Sequence, residues 1–173
     1  KNAVKPKKFG QLLYRMVQYY KPEQVLELGT SLGITTSYLA SGNPNAGVFT
    51  LEGSQEIAES AKKNFQSSGL NNIELITGNF DETLFPVIKQ LSSVDFAFID
   101  GNHRYQPTVN YFNQIMSKTN NSSFLIFDDI HWSKEMEQAW EEIKCHSAVT
   151  CTIDLFFIGL VFFRNEIKEK QHF

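Results

Sequence analysis

The stretch Val25-Leu26-Glu27-Leu28-Gly29-Thr30-Ser31-Leu32-Gly33 constrains this chain more than any other. A short apolar strand closes on a carboxylate, a turn with two glycines follows, and a helix opens. Such strand–turn–helix units build α/β sheets and grip adenine-containing cofactors. A glycine just past a strand can take positive φ, and its missing Cβ lets a ligand approach the backbone. The first turn of the following helix offers unpaired N–H groups that suit a carboxylate or a phosphate.

The spacing then discriminates. A dinucleotide-binding turn reads G-x-G-x-x-G, with its glycines tight against a pyrophosphate. Here the pattern is E-x-G-x-x-x-G, and Ser31 stands where the middle glycine would be. A looser turn after an acidic residue suits a cofactor with an amine and no pyrophosphate, and Glu27 could hold a cationic amino-acid head, directly or through water. The motif resembles the cofactor loop of class I S-adenosylmethionine-dependent methyltransferases. That resemblance implies cofactor contacts from Glu27, Gly29, Ser31 and Gly33. A purely structural strand–helix turn is the competing reading.

A chain of 173 residues predicts one domain, residues 1–173, with an N-terminal helical segment over 1–21 and a core over 22–164. Hydrophobic content of 42% with 15 Phe supports a large packed core without a disulfide or structural metal. A net charge of −3 argues against nucleic acid as a partner, because phosphate neutralisation needs clustered Lys and Arg. The basic group Lys1, Lys5, Lys7 and Lys8 reads as a solvated end. Cys145 and Cys151 are too close to join distant elements and read as reduced thiols, which predicts a cytoplasmic protein. No run of ~20 apolar residues predicts a membrane span. The chain does not begin with Met, so a preceding segment that contributes to a substrate site is expected.

Along the chain, helices are predicted over 9–20, 35–40, 55–68, 82–91, 105–118 and 133–145. Strands are predicted over 25–28, 47–52, 72–77, 94–100 and 122–128. Asp81 and Ser133 read as helix caps. Pro86 predicts a kinked or shortened helix. Two strands, 149–154 and 159–164, are joined by a link so short that they must pair antiparallel. Strand–helix alternation predicts a parallel sheet covered by helices on both faces. The fold class is therefore α/β: a Rossmann-like three-layer sandwich. Its terminal hairpin resembles the mostly parallel seven-stranded sheet of class I methyltransferases, which ends on an antiparallel hairpin. An exposed hairpin edge offers a homodimer contact.

Ligands of open α/β sheets bind beyond the carboxyl ends of the strands. Glu27, Glu52, Asn79, Asp100 and the pair Asp128-Asp129 all fall at such ends. Glu52 can accept both ribose hydroxyl hydrogens, and Gly53 lets the cofactor pass close. The resemblance places Asn79 against the adenine amine and includes Asp100 among the cofactor contacts. A carboxylate that merely favours a helix start is the bland alternative for Glu52.

Three close carboxylates repel, and a hard divalent cation such as Mg²⁺ relieves the repulsion. Asp100, Asp128 and Asp129 resemble the metal ligands of the catechol O-methyltransferase group, with Asp replacing an Asn. His103 stands where that group has its general-base Lys. The run Asp100-Gly101-Asn102-His103-Arg104-Tyr105 also resembles methyltransferase domain family 24 and its cephalosporin-hydroxylase relatives. Together these resemblances imply S-adenosylmethionine-dependent O-methylation of a small hydroxylated acceptor, with Asp100 and His103 catalytic. Readings that stay open are an Asp128 or Asp129 salt bridge to Arg104, His103 as a loop strut, and His131 as a strut. Trp132 and Trp140 are read as packing residues. Two other functions compete. A non-catalytic methyltransferase-like binding module would hold cofactor or partner only. A nicotinamide-dependent oxidoreductase would need a third glycine in the turn and a sixth parallel strand.

Overall fold

The computed structural model describes residues 7–173, so Lys1 and Lys5 of the basic group lie outside the described residues. The chain divides into two compact units, Lys1–Thr83 and Leu84–Phe173.

In the first unit, α1 (Lys7–Tyr20) precedes β1 (Gln24–Leu28), α2 (Ile34–Gly42), β2 (Gly47–Glu52), α3 (Gln55–Ser67) and β3 (Ile73–Thr77). The three strands run parallel in the order β3-β2-β1. Helix α1 turns Leu13 and Val17 into the core, and α3 does the same with Ala58, Ala61 and Phe65. This is the i, i+3, i+4 spacing of an amphipathic helix. The register pairs Glu27 with Thr50 and Leu28 with Leu51. Side chains at paired positions share one face of a sheet, so a carboxylate and a hydroxyl lie side by side in an apolar layer.

Helix α4 (Phe80–Gln90) begins at the end of the first unit, and its cap corrects the sequence reading. Asp81 lies inside the helix, and its N–H donates to Asn79 Oδ1 (3.1 Å), so Asn79 is the cap. Asn79 C=O also accepts from Glu82 N–H (3.0 Å) and Thr83 N–H (2.9 Å). Pro86 is accommodated within an 11-residue helix.

The second unit holds β4 (Phe96–Ile99), α5 (Tyr105–Met116), β5 (Phe124–Asp128), α6 (Lys134–Cys145), β6 (Cys151–Asp154), β7 (Ile158–Phe162) and β8 (Gln171–His172). Its strand order is β4-β5-β7-β6-β8. The β4–β5 pair is parallel, and β7 lies antiparallel to both β5 and β6. Phe96, Ala97, Phe98 and Ile99 are all buried, as expected of a strand covered on both faces. Ser133 caps α6 through its side chain, as its sequence position predicts.

The hairpin is real, but its link works without a conventional turn residue. Phe156 takes φ 69, and its N–H donates to Asp154 Oδ1 (2.7 Å). That side-chain bond offsets a left-handed conformation costing about 1–2 kcal/mol for an L residue. Gly159 then lets Trp140 lie across β7, since a Cβ there would sit 2.6 Å from the indole. The described residues contain eight strands rather than the expected seven. The extra strand, β8, pairs parallel with β6 and occupies the edge that the sequence reading left open.

Candidate functional site

The first unit supplies a strained turn and a carboxylate locked against it. Gly29 has φ 101, Ser31 φ 49 and Gly33 φ 77, so three of five consecutive residues are left-handed. For Ser31 this is uncommon, and such strain concentrates at functional sites. Gly33 has a second reason to be glycine: a Cβ there would lie 2.3 Å from the Phe65 ring. The turn is anchored by Gly29 and Thr30 N–H groups, which donate to Leu51 C=O (2.9 and 3.1 Å).

Glu52 closes the arrangement. Its Oε2 accepts from Ser31 N–H (2.8 Å), and its Oε1 accepts from Ser54 N–H (3.0 Å). Both carboxylate oxygens are thereby oriented, and each keeps lone pairs for a further donor. Glu52 C=O accepts from Gly78 N–H (2.9 Å), which brings the residue before Asn79 to the same strand end. A Cβ on Gly53 would meet nothing within 4 Å, so the space beside Glu52 is open to a ligand. The residues therefore fit a nucleoside with a free diol: a fixed carboxylate, open space beside it, and an amide-rich turn.

Glu27, expected to hold a cationic head directly or through water, lies beneath the turn. It is completely buried, and its Oε2 accepts from Thr36 Oγ1 (2.5 Å) and Thr50 Oγ1 (2.6 Å). Thr30 Oγ1 lies 2.6 Å from Thr50 Oγ1. These three threonines escaped sequence reasoning. The one available signal was Thr50, a hydroxyl beside Glu27's strand within the otherwise apolar run Val48–Leu51. Asn79, for its part, is exposed and spends its Oδ1 on the helix cap.

The second unit gathers His103 with Asp100, Asp128 and Asp129. His103 Nε2 stands 3.3 Å from Asp100 Oδ1, with both side chains about 29% exposed. The hydrogen bond from Asp100 raises the His103 pKa above its ordinary 6.5; burial opposes this, and the charges of Asp100, Asp129 and Asp128 reinforce it. His103 Nδ1 is buried and makes no hydrogen bond. The loop is strained: Asn102 has φ 66, His103 φ 34 and Asp129 φ 53. Asn102 Nδ2 donates to Tyr111 Oη (3.0 Å), which fixes the loop to α5.

Asp128 is fully buried, whereas Asp129 turns away in a left-handed conformation and is half-buried. The two adjacent carboxylates thus leave the strand end in different surroundings. Among the described residues, no group of three or more His, Cys, Asp or Glu side chains is placed to hold a metal ion. The expected trio of Asp100, Asp128 and Asp129 is not grouped in that way: Asp100 faces His103, and Asp128 is fully buried.

His131 is a strut. Its Nε2 bonds Asp154 Oδ2 (2.8 Å), and its Nδ1 lies 3.5 Å from Glu137 Oε1. Burial pushes the Asp154 carboxyl up, but the Phe156 N–H and His131 bonds outweigh it and hold the pKa below the ordinary value. Trp140 is a buried packing residue, whereas Trp132 is 62% exposed, contrary to the packing role expected for it. Phe156 and Phe157, 64% and 51% exposed, are further exposed aromatics that were not legible in the sequence. Asp129 N–H donates to Phe157 C=O (2.7 Å), tying the hairpin link to the acidic loop.

Comparison with known proteins supplies independent observations. A family model described as a methyltransferase domain matches residues 26–130. An uncharacterised protein of Acanthamoeba polyphaga mimivirus is 35% identical over 92 residues, covering 49% of this chain and 42% of that protein. A catechol O-methyltransferase of Niastella koreensis is 27% identical over 124 residues, covering 70% of this chain and 55% of that one. The chain spans about half the length of these two relatives, 42% and 55%. An O-methyltransferase from Bacillus cereus, solved in complex with SAH, superposes with a TM-score of 0.79 at 24% identity, covering 94% of this chain and 84% of that one. An SAH-bound methyltransferase from Podospora anserina gives a TM-score of 0.83 at 14% identity, covering 94% and 80%. At these identities the likeness is one of fold: α/β, Rossmann-like, mostly parallel, with antiparallel strands toward the C-terminus.

Proposed function

This chain belongs to the methyltransferase-domain family, and on that premise we propose that it is an S-adenosylmethionine-dependent O-methyltransferase of a small hydroxylated acceptor. The observation that carries the reading is Glu52, whose two oxygens are fixed by Ser31 and Ser54 N–H groups beside the open space at Gly53. In this reading Glu52 would accept both hydroxyls of the cofactor ribose. The turn from Gly29 to Gly33 carries the amino-acid end, with Glu27 as the anion beneath it. Asn79 lies toward the adenine and holds α4 in place as its cap.

When bound, the cofactor supplies an electrophilic methyl group on a sulfonium. Transfer of that methyl to an acceptor oxygen would break the S–C bond, release the thioether and leave the hydroxyl proton for the protein to take. His103 takes it. Asp100, beside Nε2, would stabilise the imidazolium that results. The raised pKa makes His103 a stronger base than free imidazole, with a smaller neutral fraction at pH 7. Asp128 and Asp129 add negative charge near that imidazolium. A divalent cation on Asp100, Asp128 and Asp129 is the finer expectation from the family resemblance. The three side chains are not grouped for it, and no step here uses one.

Isothermal titration with S-adenosylhomocysteine tests the cofactor assignment. Saturable binding is expected; no heat and no thermal shift would refute it. Transfer of labelled methyl from S-adenosylmethionine to phenols, sugars or amines tests the chemistry. Cofactor binding with no transfer to any of these would reduce the protein to a cofactor-holding module.

A further inference from the structure

We propose that Thr36 and Thr50 are positioning residues that hold buried Glu27 as an anion beneath the cofactor turn, with Thr30 fixing the direction of Thr50's hydroxyl. The inference rests on reading that turn as the seat of the cofactor's amino-acid end.

The argument begins with burial. The described residues bury eight polar or charged side chains, and four of them are Glu27, Thr30, Thr36 and Thr50. A carboxylate removed from water is costly unless donors replace the water it loses. Here one oxygen receives two hydroxyls, from Thr36 at 2.5 Å and Thr50 at 2.6 Å. A hydroxyl has a single proton to give. If Thr50 gives its proton to Glu27, the 2.6 Å contact between Thr30 and Thr50 must have Thr30 as donor. The chain of bonds then has one direction: Thr30 to Thr50 to Glu27, with Thr36 arriving from the other side.

That direction suits an ionised carboxylate, which only accepts. A proton on Oε2 itself would have to be donated and would break the chain at one of its links. Four structural elements meet in the network: β1 supplies Glu27, the turn Thr30, the first turn of α2 Thr36, and β2 Thr50. A turn that needed only packing could fill these positions with valine, which is nearly isosteric with threonine. Two hydroxyls converging on one buried acid, with a third ordering one of them, make sense where a fixed negative charge is wanted. The cofactor's amino-acid end carries the ammonium that such a charge attracts.

The test separates this role from plain structural support by using two ligands. S-adenosylhomocysteine has the ammonium, and 5′-methylthioadenosine shares the nucleoside but lacks the amino-acid end. Titration calorimetry is done on wild type, T36V, T50V, T36S and T30V. T36V and T50V are expected to weaken S-adenosylhomocysteine by about 10-fold and to leave methylthioadenosine within about twofold. T36S, which keeps the hydroxyl, should bind as wild type does. T30V leaves both donors to Glu27 in place, so it should fold even if the other valine variants do not. It should show a smaller loss, selective for S-adenosylhomocysteine. Equal losses for both ligands, or no loss in T30V and T36V, would overturn the proposal. Wild type binding neither ligand would overturn the cofactor reading itself and the proposal with it.

Discussion

Glu52→Gln isolates the interaction on which the cofactor assignment depends. In the protein, Glu52 takes Ser31 N–H on Oε2 at 2.8 Å and Ser54 N–H on Oε1 at 3.0 Å. A glutamine keeps one acceptor oxygen, so one of those backbone donors would face an NH₂ group. A half-buried unsatisfied donor costs about 1 kcal/mol. That corresponds to a fall of about 2–4 °C in Tm for a chain of this size. The ribose diol loses a charged acceptor and keeps a neutral one. Hydrogen bonds to charged groups contribute about 1.5–3 kcal/mol, so the Kd for S-adenosylhomocysteine should rise roughly 10- to 150-fold. Calorimetry gives the Kd and differential scanning fluorimetry gives the Tm. The charge-retaining Glu52→Asp should bind worse than wild type and better than Glu52→Gln. A Kd changed by less than about threefold in Glu52→Gln, with an unshifted Tm, would refute the ribose assignment.

Four further expectations follow from the structure. His103→Ala should lower kcat by about 10²–10⁴ while changing cofactor Kd little, and radiolabelled methyl transfer measures it. Because Asp100 raises the His103 pKa, kcat/KM should climb with pH to a midpoint above 6.5, and Asp100→Asn should move that midpoint down. The linked stability has the opposite sign: the Asp100–His103 contribution is fully present below pH 6.5 and is lost as pH rises through the raised folded value, visible as a falling Tm. Gly33→Ala combines a left-handed residue at φ 77 with a Cβ 2.3 Å from Phe65. It should cost about 2–4 kcal/mol from backbone strain plus overpacking, and adding Phe65→Leu should recover part of the Tm. Since Asp100 is turned to His103, treatment with a chelator should leave methyl transfer unchanged. Loss of activity restored by added Mg²⁺ would show that the carboxylates regroup around a cation.

The sequence made the fold legible because its signals are local. Apolar runs closing on acids marked β1, β2, β4 and β5, and helices of ordinary amphipathic spacing lay between them. The hairpin was legible from the length of its link alone. What stayed hidden was set by contacts between distant residues. Asn79 displaced Asp81 as the cap of α4 because the cap depends on where the chain leaves β3. β8 has only two residues, too few to show any alternation. The left-handed Phe156 contradicts its own propensity and is held by Asp154. Trp132 carried no sign of its exposure in its local spacing.

The candidate site divides along the same line. Glu52 and the glycines of the turn sit where strand ends put them, so motif spacing finds them. Glu27 was found for its position, but its surroundings were not. The parallel register that aligns Thr50 with Glu27 can be stated only once β1 and β2 are paired. The acid at the end of β1 is therefore part of a buried polar network whose hydroxyls come from three separate stretches of chain. The grouping of the three acids was hidden for a related reason. Strand-end position gathers Asp100, Asp128 and Asp129 by topology, but φ at Asp129 and the bond between Asp100 and His103 decide where the carboxylates point. A sheet places residues along its rim to within a few ångströms; whether they form a cation site or a base with its orienting acid is decided by side-chain direction. In this chain Asp100 Oδ1 lies 3.3 Å from His103 Nε2.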